Sequence, residues 1–279
     1  METILSASTP LPPAPDRLKR NLLSLSLAIA VAGLLAWSWF GTEMSLANLS
    51  RSGPRVADFL ERLFPPDLAW NVNEARPFPP PLRLAFETVS VTLQISLLGT
   101  ALGAAGALLL GLLASENLTP HWLHHPIKVI LALIRSLPII LLALLFVAAI
   151  GLGPMPGVLA VAVHSLGMLG KLYAEEFETA DTGVWEALDS AGADWQQKVR
   201  FAIWPQTARQ ILSLTLFRFE MNLRESAVLG LVGVAGLGLW IENYRRAFDY
   251  HSVATMVVVT MLVVLVVDQA TFHIRRQLK

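Results

Sequence analysis

The chain has 279 residues, of which 54% are hydrophobic and 15% are charged, and its formal net charge is zero. A soluble domain is usually about a quarter charged, so this composition indicates an integral membrane protein. The zero net charge provides no basic footprint for nucleic acid, and the absence of cysteine excludes disulfides and thiolate metal sites.

The N-terminus, residues 1–21, is a polar tail rich in proline and serine that leads through basic residues into the apolar run 22–40. Such an opening also fits a signal peptide, but WSWFGTEM follows the run where a small-residue cleavage site is expected. We therefore predict an uncleaved first transmembrane helix at 22–40.

Further apolar runs follow along the chain. A helix needs roughly 20 apolar residues to cross a bilayer, and within lipid a helix satisfies its own backbone polar groups. The runs of about that length are 88–114, 127–150, 158–177, 207–228 and 252–272. With the first run, they predict an all-α membrane protein with about six transmembrane helices.

Residues 41–87 separate the first two predicted spans. They carry five arginines and six acids, with a PFPPP cluster at 77–81, and we predict an external amphipathic segment. The bias of lysine and arginine between loops sets orientation in a membrane. With the N-terminus inside, ten basic residues lie on the inner side and seven on the outer side, so we predict that both termini are cytoplasmic. The basic tail 273–279 and the loop 179–206 then also lie in the cytoplasm.

Small residues recur at every fourth position of the second predicted span. They are Gly99, Gly103, Ala107 and Gly111. This spacing lets the backbone of another helix come close, and it predicts a tightly packed helix pair.

The stretch EALDSAGADWQQKVRFAIWPQ, residues 186–206, is polar and charged between apolar spans. Residues 186–190 suit a short helix, and Gly192 suits a sharp change of direction. Asp194 suits the N-cap of a second short helix over 195–203, and Pro205 suits the start of the fifth span. Apolar side chains alternate with charges, so we predict a docking surface made of two small helices.

This stretch resembles the cytoplasmic EAA loop of bacterial ABC importer permeases. Glu186, Ala187, Gly192 and Pro205 match the loop's pattern, and Leu188 replaces its second alanine. The resemblance implies that the loop sits in a cleft of an ATPase subunit and moves when two such subunits close on ATP.

The resemblance extends to the phosphonate importer branch of these permeases across about 86–279. Its most specific runs are RSLP at 135–138, HSLGMLGKL at 164–172, FRFEMNLR at 217–224 and VLGLVGVAGLG at 228–238. It implies a type I importer permease fold with its core at 88–272, a homodimer, two ATPase subunits, a solute-binding protein and a bacterial inner membrane. ATP and Mg would be bound by the ATPase and none by this chain, which has no G-x-x-x-x-G-K-[ST] loop.

Polar side chains inside the predicted spans are functional hypotheses by default, because they are costly at membrane depth. Guanidinium groups bind phosphonate-like oxyanions in a forked geometry. The candidates for a translocation pathway are Arg135, His164, Arg218, Asn222 and Arg224. A tight site would trap the solute, so we expect weak and transient contacts.

Internal pairing is the alternative for these charges. Lys171 with Glu175 and Glu220 with Arg224 have the i,i+4 spacing of helix ion pairs, and Arg218 and Asn222 share a face with Glu225. His164 fits a packing histidine as well as one that titrates or hydrogen-bonds an oxyanion.

Four glycines follow the fifth predicted span: Gly230, Gly233, Gly236 and Gly238. They fit a hinge or gate as well as a tight external turn. Nearer the N-terminus, HWLHHP places His121, His124 and His125 together with only Glu116 nearby. We predict a helix-boundary loop there and no metal site.

Other functions fit parts of the sequence. The same machinery carrying phosphite, phosphate or another small oxyanion fits every residue equally well. A membrane-embedded enzyme acting on lipid phosphates needs a nucleophile–base pair or a metal cluster at a membrane face, and the sequence suggests neither. A scaffold without transport activity conflicts with the EAA spacing.

Overall fold

A computed structural model of the protein describes residues 17–42, 45–71 and 78–278. Within these ranges the structure is helical and has no β-strand beyond an isolated bridge between Gly153 and Val234. Residues 1–16 of the predicted polar tail lie outside the described residues. The all-α fold predicted from the apolar runs is therefore confirmed for the described chain.

Eleven α-helices follow one another in the described chain. They are α1 (Arg17–Gly41), α2 (Leu46–Leu63), α3 (Pro81–Ala114), α4 (His121–Ser136), α5 (Ile139–Ile150), α6 (Pro154–Glu178), α7 (Thr182–Ser190), α8 (Trp195–Lys198), α9 (Trp204–Leu229), α10 (Leu237–Arg246) and α11 (Tyr250–Leu278). A π-helical turn, Val199–Ile203, joins α8 to α9, and a 3₁₀ turn, Gly230–Val232, follows α9.

The chain divides into two compact units, Met1–Leu60 and Glu61–Lys279. The first contains α1, whose described side chains are exposed within the unit. The second contains α3 to α11 and all the residues predicted to be functional. Within residues 50–63 of α2, charged and apolar side chains lie on different faces of the helix, so the predicted segment 41–87 contains an amphipathic helix. Its external position stays a prediction.

Each of the six predicted spans contains a helix, but not all six pass as membrane spans. Within the described chain, α1, α3, α6 and α11 are long and apolar enough to cross a bilayer, and the α4–α5 pair makes a fifth if it counts as one span. The predicted fifth span corresponds to α9, which is long enough but carries several charges: Arg209, Arg218, Glu220, Arg224 and Glu225. Neighbouring helices bury Arg218 and Glu220, whereas Arg209 and Arg224 are exposed.

The predicted span 127–150 is broken in the structure, where α4 and α5 are bent by 85° to each other. Pro138 lies at the bend, and Leu137 before it is extended, with φ −80° and ψ 122°. A proline disfavours the helical region for the residue before it, which ends α4. The first turn of α5 then tolerates the missing N–H of Pro138.

Helices α3 and α6 pack closely from Gly99 to Gly111, at the small residues predicted for this purpose. A Cβ atom on Gly99 would lie 2.6 Å from Val161, and one on Gly103 would lie 2.7 Å from the carbonyl oxygen of Ala162. The predicted close helix pair is confirmed, and the partner is α6.

The end of the bundle formed by the N-terminus of α3 also contains α10, a helix that the sequence did not predict. Helix α3 begins at Pro81, earlier than the predicted start at residue 88. The hydroxyl of Tyr244 donates to the carbonyl of Pro79, and the N–H of Leu237 donates to Thr92 Oγ1 at 3.0 Å. These bonds fix α10 to α3 at the end of the bundle opposite the α6–α7 connection.

Candidate coupling segment and buried polar cluster

The coupling segment, residues 179–206, folds into the two short helices predicted for it. Asp181 caps α7 by accepting from the N–H of Gly183 at 2.8 Å. Gly192 turns the chain with φ +79°, a left-handed conformation that glycine adopts without strain. Asp194 then caps α8 in a reciprocal capping box with Gln197.

The second short helix does not end at Ile203 as predicted. The π-helical turn after α8 leads directly into α9, and Pro205 lies in the first turn of α9. Pro205 has no N–H to donate back into the π-helical turn, so the backbone hydrogen-bond ladder is interrupted there while the helical path continues. The coupling segment is therefore continuous with the helix that holds Arg218 and Asn222.

The coupling segment presents an apolar and charged surface to solvent. Glu186, Ala187 and Gly192 are exposed and Leu188 is half-buried. Large apolar side chains exposed beside them are Val184, Trp195, Phe201 and Trp204. The indole N–H of Trp195 donates to the carbonyl of Leu118 at 3.1 Å, so the segment is attached to the α3–α4 connection and is not a free tether.

A group of polar side chains, which we call the buried polar cluster, lies where α3, α6 and α9 meet. Arg218 is 3% exposed, and its Nη2 donates to Glu225 Oε2 at 3.0 Å. Its Nε donates to Ser165 Oγ at 3.3 Å. Arg218 and Glu225 therefore share one face of α9, as predicted. The contact between Arg218 and Ser165 of α6 was not predicted.

Asn222 is the centre of the buried polar cluster. It is fully buried, and its Nδ2 lies 2.7 Å from Thr100 Oγ1 and 2.8 Å from Ser165 Oγ. One turn away, the hydroxyls of Ser96 and Ser226 are 2.9 Å apart. These bonds join α9 to both α3 and α6, and sequence reasoning missed them because the hydroxyls come from other helices.

Arg224 does not belong to this cluster. It is 46% exposed on the opposite face of α9, where it contacts Glu220 at 2.5 Å and Asp268 of α11 at 2.8 Å. Arg275 of α11 adds a second cation to Glu220 at 2.8 Å. The predicted pair Glu220–Arg224 is confirmed, and it forms part of a four-charge network between α9 and α11.

Arg135 and His164 occupy two further environments. His164 is half-buried, and its Nδ1 is buried without a hydrogen-bond partner among the described residues. Arg135 is exposed and lines a groove with Lys128 and Lys171. Lys171 contacts Glu175 at 3.2 Å, as predicted. The predicted pathway residues are thus distributed over four places.

The four glycines after α9 adopt different backbone conformations. Gly233 and Gly236 have φ +91° and +117°, which fit a tight turn. Gly230 and Gly238 pack against each other, since a Cβ on Gly230 would lie 2.0 Å from the carbonyl carbon of Gly238. Close packing accounts for these two residues, and a gate or hinge role stays a prediction.

The HWLHHP run is the start of α4 and not the predicted loop. The rings of His121 and His125 stack at 5.4 Å because i and i+4 share a helix face. Within the described residues, no group of three or more His, Cys, Asp or Glu side chains is placed to hold a metal ion.

Two carboxylates outside the spans have lowered pKa values. Hydrogen bonds from Arg245 and Arg246 lower the pKa of Glu242 to about 2. A hydrogen bond from Lys128 lowers the pKa of Glu116, and Lys128 also contacts Glu178 at 2.9 Å. The Glu242 pairs lie within α10, whereas the Lys128 pairs join α4 to Glu116 and to Glu178 of α6.

A family model described as "Binding-protein-dependent transport system inner membrane component" matches residues 107–279, which include the coupling segment and the whole of α9. The chain belongs to this family. The protein is therefore an inner-membrane permease of an ABC importer, and it works with an ATPase and a substrate-binding partner. It is a transport component, not an enzyme in its own right.

Curated relatives cover most of the permease. It is 32% identical over 254 residues to the phosphite transport system permease protein PtxC of Stutzerimonas stutzeri, a match covering 91% of this chain and 88% of that protein. It is 34% identical over 222 residues to the phosphate-import permease protein PhnE of Mycolicibacterium smegmatis, covering 79% of this chain and 40% of that protein.

The fold of the permease matches a solved importer. An inward-facing structure of the MetNI methionine ABC transporter superposes with a TM-score of 0.64 and 21% identity, covering 75% of this chain and all of that one. The predicted type I importer permease fold is confirmed.

Proposed function

We propose that the permease translocates a small phosphorus oxyanion, of the class that comprises phosphonate, phosphite and phosphate, with phosphonate as the first choice from the sequence. The observation that carries this proposal is the match to a phosphite permease over 91% of the chain. A second relative is named for phosphate. The three anions share a tetrahedral phosphorus with charged oxygens, so one pathway suits them all.

Energy for transport comes from ATP and Mg on two ATPase subunits, each docked to the coupling segment of one permease in a homodimer. The support is the exposed surface around Glu186, Ala187 and Leu188, with Gly192 setting the angle between α7 and α8. Pro205 lies in the first turn of α9, and in this proposal α9 carries the movement into the membrane. A solute-binding protein delivers the anion on the outer side, and both termini lie in the cytoplasm.

Arg218 is the residue that we propose to contact the passing anion. Its guanidinium is charged at all working pH values and offers forked donors to an oxyanion. Glu225 occupies those donors in the structure, with its Oε2 3.0 Å from Arg218 Nη2. A resident carboxylate limits how tightly an anion binds, which favours release. Arg135, His164, Asn222 and Arg224 stay predictions as pathway residues.

The test is uptake by proteoliposomes that contain the permease, its ATPase and its binding protein. We expect ATP-dependent entry of labelled methylphosphonate, with phosphite and phosphate as competitors and sulfate as the control. Entry of labelled phosphite or phosphate, without entry of labelled methylphosphonate, would move the substrate within the class. ATP hydrolysis without entry of any of the three would contradict the substrate class and leave the family assignment intact.

A further inference from the structure

A groove between α4 and α6, which we call the basic groove, lies apart from the buried polar cluster. It encloses about 300 Å³ and is lined by Lys128 and Arg135 of α4 and by Lys171, Glu175 and Glu178 of α6. Its floor is apolar, since Leu131 and Ala174 are each 1% exposed. Neither the coupling segment nor the proposed contact at Arg218 uses this groove.

The position of the basic groove is fixed by close packing of its two helices. A Cβ on Gly167 of α6 would lie 2.9 Å from the backbone nitrogen of Arg135, and one on Gly170 would lie 2.7 Å from Leu131. Lys171 is one turn beyond Gly167, on the same helix face. The side chains of Arg135 and Lys171 therefore project from neighbouring backbone positions on α4 and α6.

The charges of the basic groove are unevenly paired. Lys128 contacts both Glu116 and Glu178, at 2.7 and 2.9 Å, at the end nearest the coupling segment. Lys171 has one acid, Glu175. Arg135, about 10 Å further along α4 from Lys128 at about 1.5 Å per residue, has no ion pair among the described residues. The deeper part of the groove thus has an excess of positive charge.

The geometry points to an anionic phospholipid whose phosphate lies between Arg135 and Lys171, with an acyl chain over the apolar floor. Basic pockets between transmembrane helices on the cytoplasmic side suit such headgroups. Side chains of a helix lean towards its N-terminus, which directs Arg135 of α4 towards the end that holds Lys128. Leu131 and Ala132 of α4 and Ala174 of α6 line the groove and provide an apolar surface between the charged side chains. A free oxyanion shares the phosphate chemistry but gains nothing from this apolar surface.

This assignment does not depend on the transported solute, and it gives Arg135 a role other than the predicted pathway contact. The test uses the purified complex of permease and ATPase, stripped of lipid and titrated with phosphatidylglycerol or phosphatidylcholine under native mass spectrometry. We expect each permease chain to retain one phosphatidylglycerol at concentrations where phosphatidylcholine has dissociated. Equal retention of the two lipids by the wild-type complex would overturn the proposal.

Arg135→Gln should weaken phosphatidylglycerol retention about fivefold, the effect of one basic side chain near an anionic headgroup. Arg135→Lys should keep most of it. The matched control is Arg209→Gln, an exposed arginine near the start of α9, and it should change nothing. A double variant, Lys171→Gln with Glu175→Gln, keeps the net charge and should also weaken retention because it removes a donor.

Inorganic phosphate separates the two sources of a phosphate group. Phosphate added at millimolar concentration should leave the bound lipid in place. Displacement of phosphatidylglycerol by phosphate would overturn the lipid assignment in favour of a soluble anion. If Arg135→Gln converted the permease from a dimer to a monomer and left lipid retention unchanged, the lipid assignment would be overturned. A second copy of the permease would then be the molecule that covers the groove.

Discussion

At the scale of single residues, the Arg218–Glu225 pair is more deeply buried than the Lys171–Glu175 pair. Arg218 and Glu225 side chains are 3% and 27% exposed, whereas Lys171 and Glu175 are 45% and 54% exposed. Both pairs were foreseeable from their spacing along one helix. Ser165 and Thr100 were not, because their hydroxyls reach α9 from other helices, and spacing within one helix says nothing about contacts between helices.

We expect Glu225→Gln to destabilise the permease by about 3 kcal/mol, because it leaves the buried guanidinium of Arg218 without its counter-ion. Glu175→Gln is the matched control and should cost less than about 1 kcal/mol, since its pair is exposed. Equilibrium unfolding in mixed micelles measures both. Adding Arg218→Met to Glu225→Gln should recover part of the loss, and equal costs for Glu225→Gln and Glu175→Gln would contradict the burial argument.

The pH dependence of stability should include a contribution from Glu242. Arg245 and Arg246 lower its pKa from 4.5 to about 2, so the folded state binds its proton less readily than the unfolded state. This stabilisation is complete above about pH 4.5 and is lost as the pH falls towards 2. The difference in melting temperature between wild type and Glu242→Gln should therefore be widest above pH 5 and should narrow on acidification.

A second variant checks the cause of this pH dependence. Replacing both Arg245 and Arg246 with glutamine removes the hydrogen bonds that lower the pKa of Glu242. Glu242→Gln made in that background should give a melting-temperature difference that no longer changes between pH 5 and pH 3. If the melting-temperature difference still changed with pH in that background, a group other than Glu242 would be responsible for the pH dependence.

At the scale of elements, Gly192 is the joint between α7 and α8. It has φ +79° and open space around it, since a Cβ would meet nothing within 4 Å. Gly192→Val should therefore impair the joint because valine disfavours this left-handed backbone conformation, and not because its side chain clashes with a neighbour. We expect it to reduce ATP-driven uptake while ATP hydrolysis continues. Gly192→Asn, which tolerates a left-handed backbone, should retain most uptake, and equal loss in both variants would contradict the conformational cause.

The packing of α10 on the end of α9 should be sensitive to a single methyl group. A Cβ on Gly238 would lie 1.8 Å from the carbonyl oxygen of Ala227, which is backbone and cannot rotate away. We expect Gly238→Ala to lower the melting temperature by several degrees. Gly106→Ala is the control, because its Cβ would meet only the flexible end of Leu166 at 2.8 Å, and a comparable loss there would refute the distinction.

The periodicity and length of the apolar runs predicted the long helices. The features that these patterns missed depend on the local chemistry of particular residues. The break at Leu137 follows from Pro138, which the apolar run around it concealed. Helix α10 was missed because its ten residues mix charged and apolar side chains after a glycine-rich turn. The junction of α8 with α9 was missed because Pro205 suggested a boundary, although a first helical turn accommodates a proline.

At the scale of the whole molecule, the proposed orientation can be tested directly because the chain has no cysteine. Ala191 lies in the coupling segment and Ala247 follows α10, and both are exposed. In intact spheroplasts a membrane-impermeant maleimide should label Ala247→Cys, and it should label Ala191→Cys only after permeabilisation. The reverse pattern would place the coupling segment outside and overturn the assignment of both termini to the cytoplasm.

In the proposed mechanism, a movement of the coupling segment would reach the buried polar cluster through α9, because the two are continuous. Asn222 lies about 27 Å from Trp204 along α9, at about 1.5 Å per residue. A pivot of about 2° at Trp204 then carries Asn222 through about 1 Å. Its bonds to Thr100 and Ser165 are 2.7 and 2.8 Å long, and a separation beyond about 3.5 Å no longer counts as a direct hydrogen bond. If the coupling segment pivots α9 as proposed, the bonds of Asn222 to Thr100 and Ser165 would therefore break within the first few degrees of rotation.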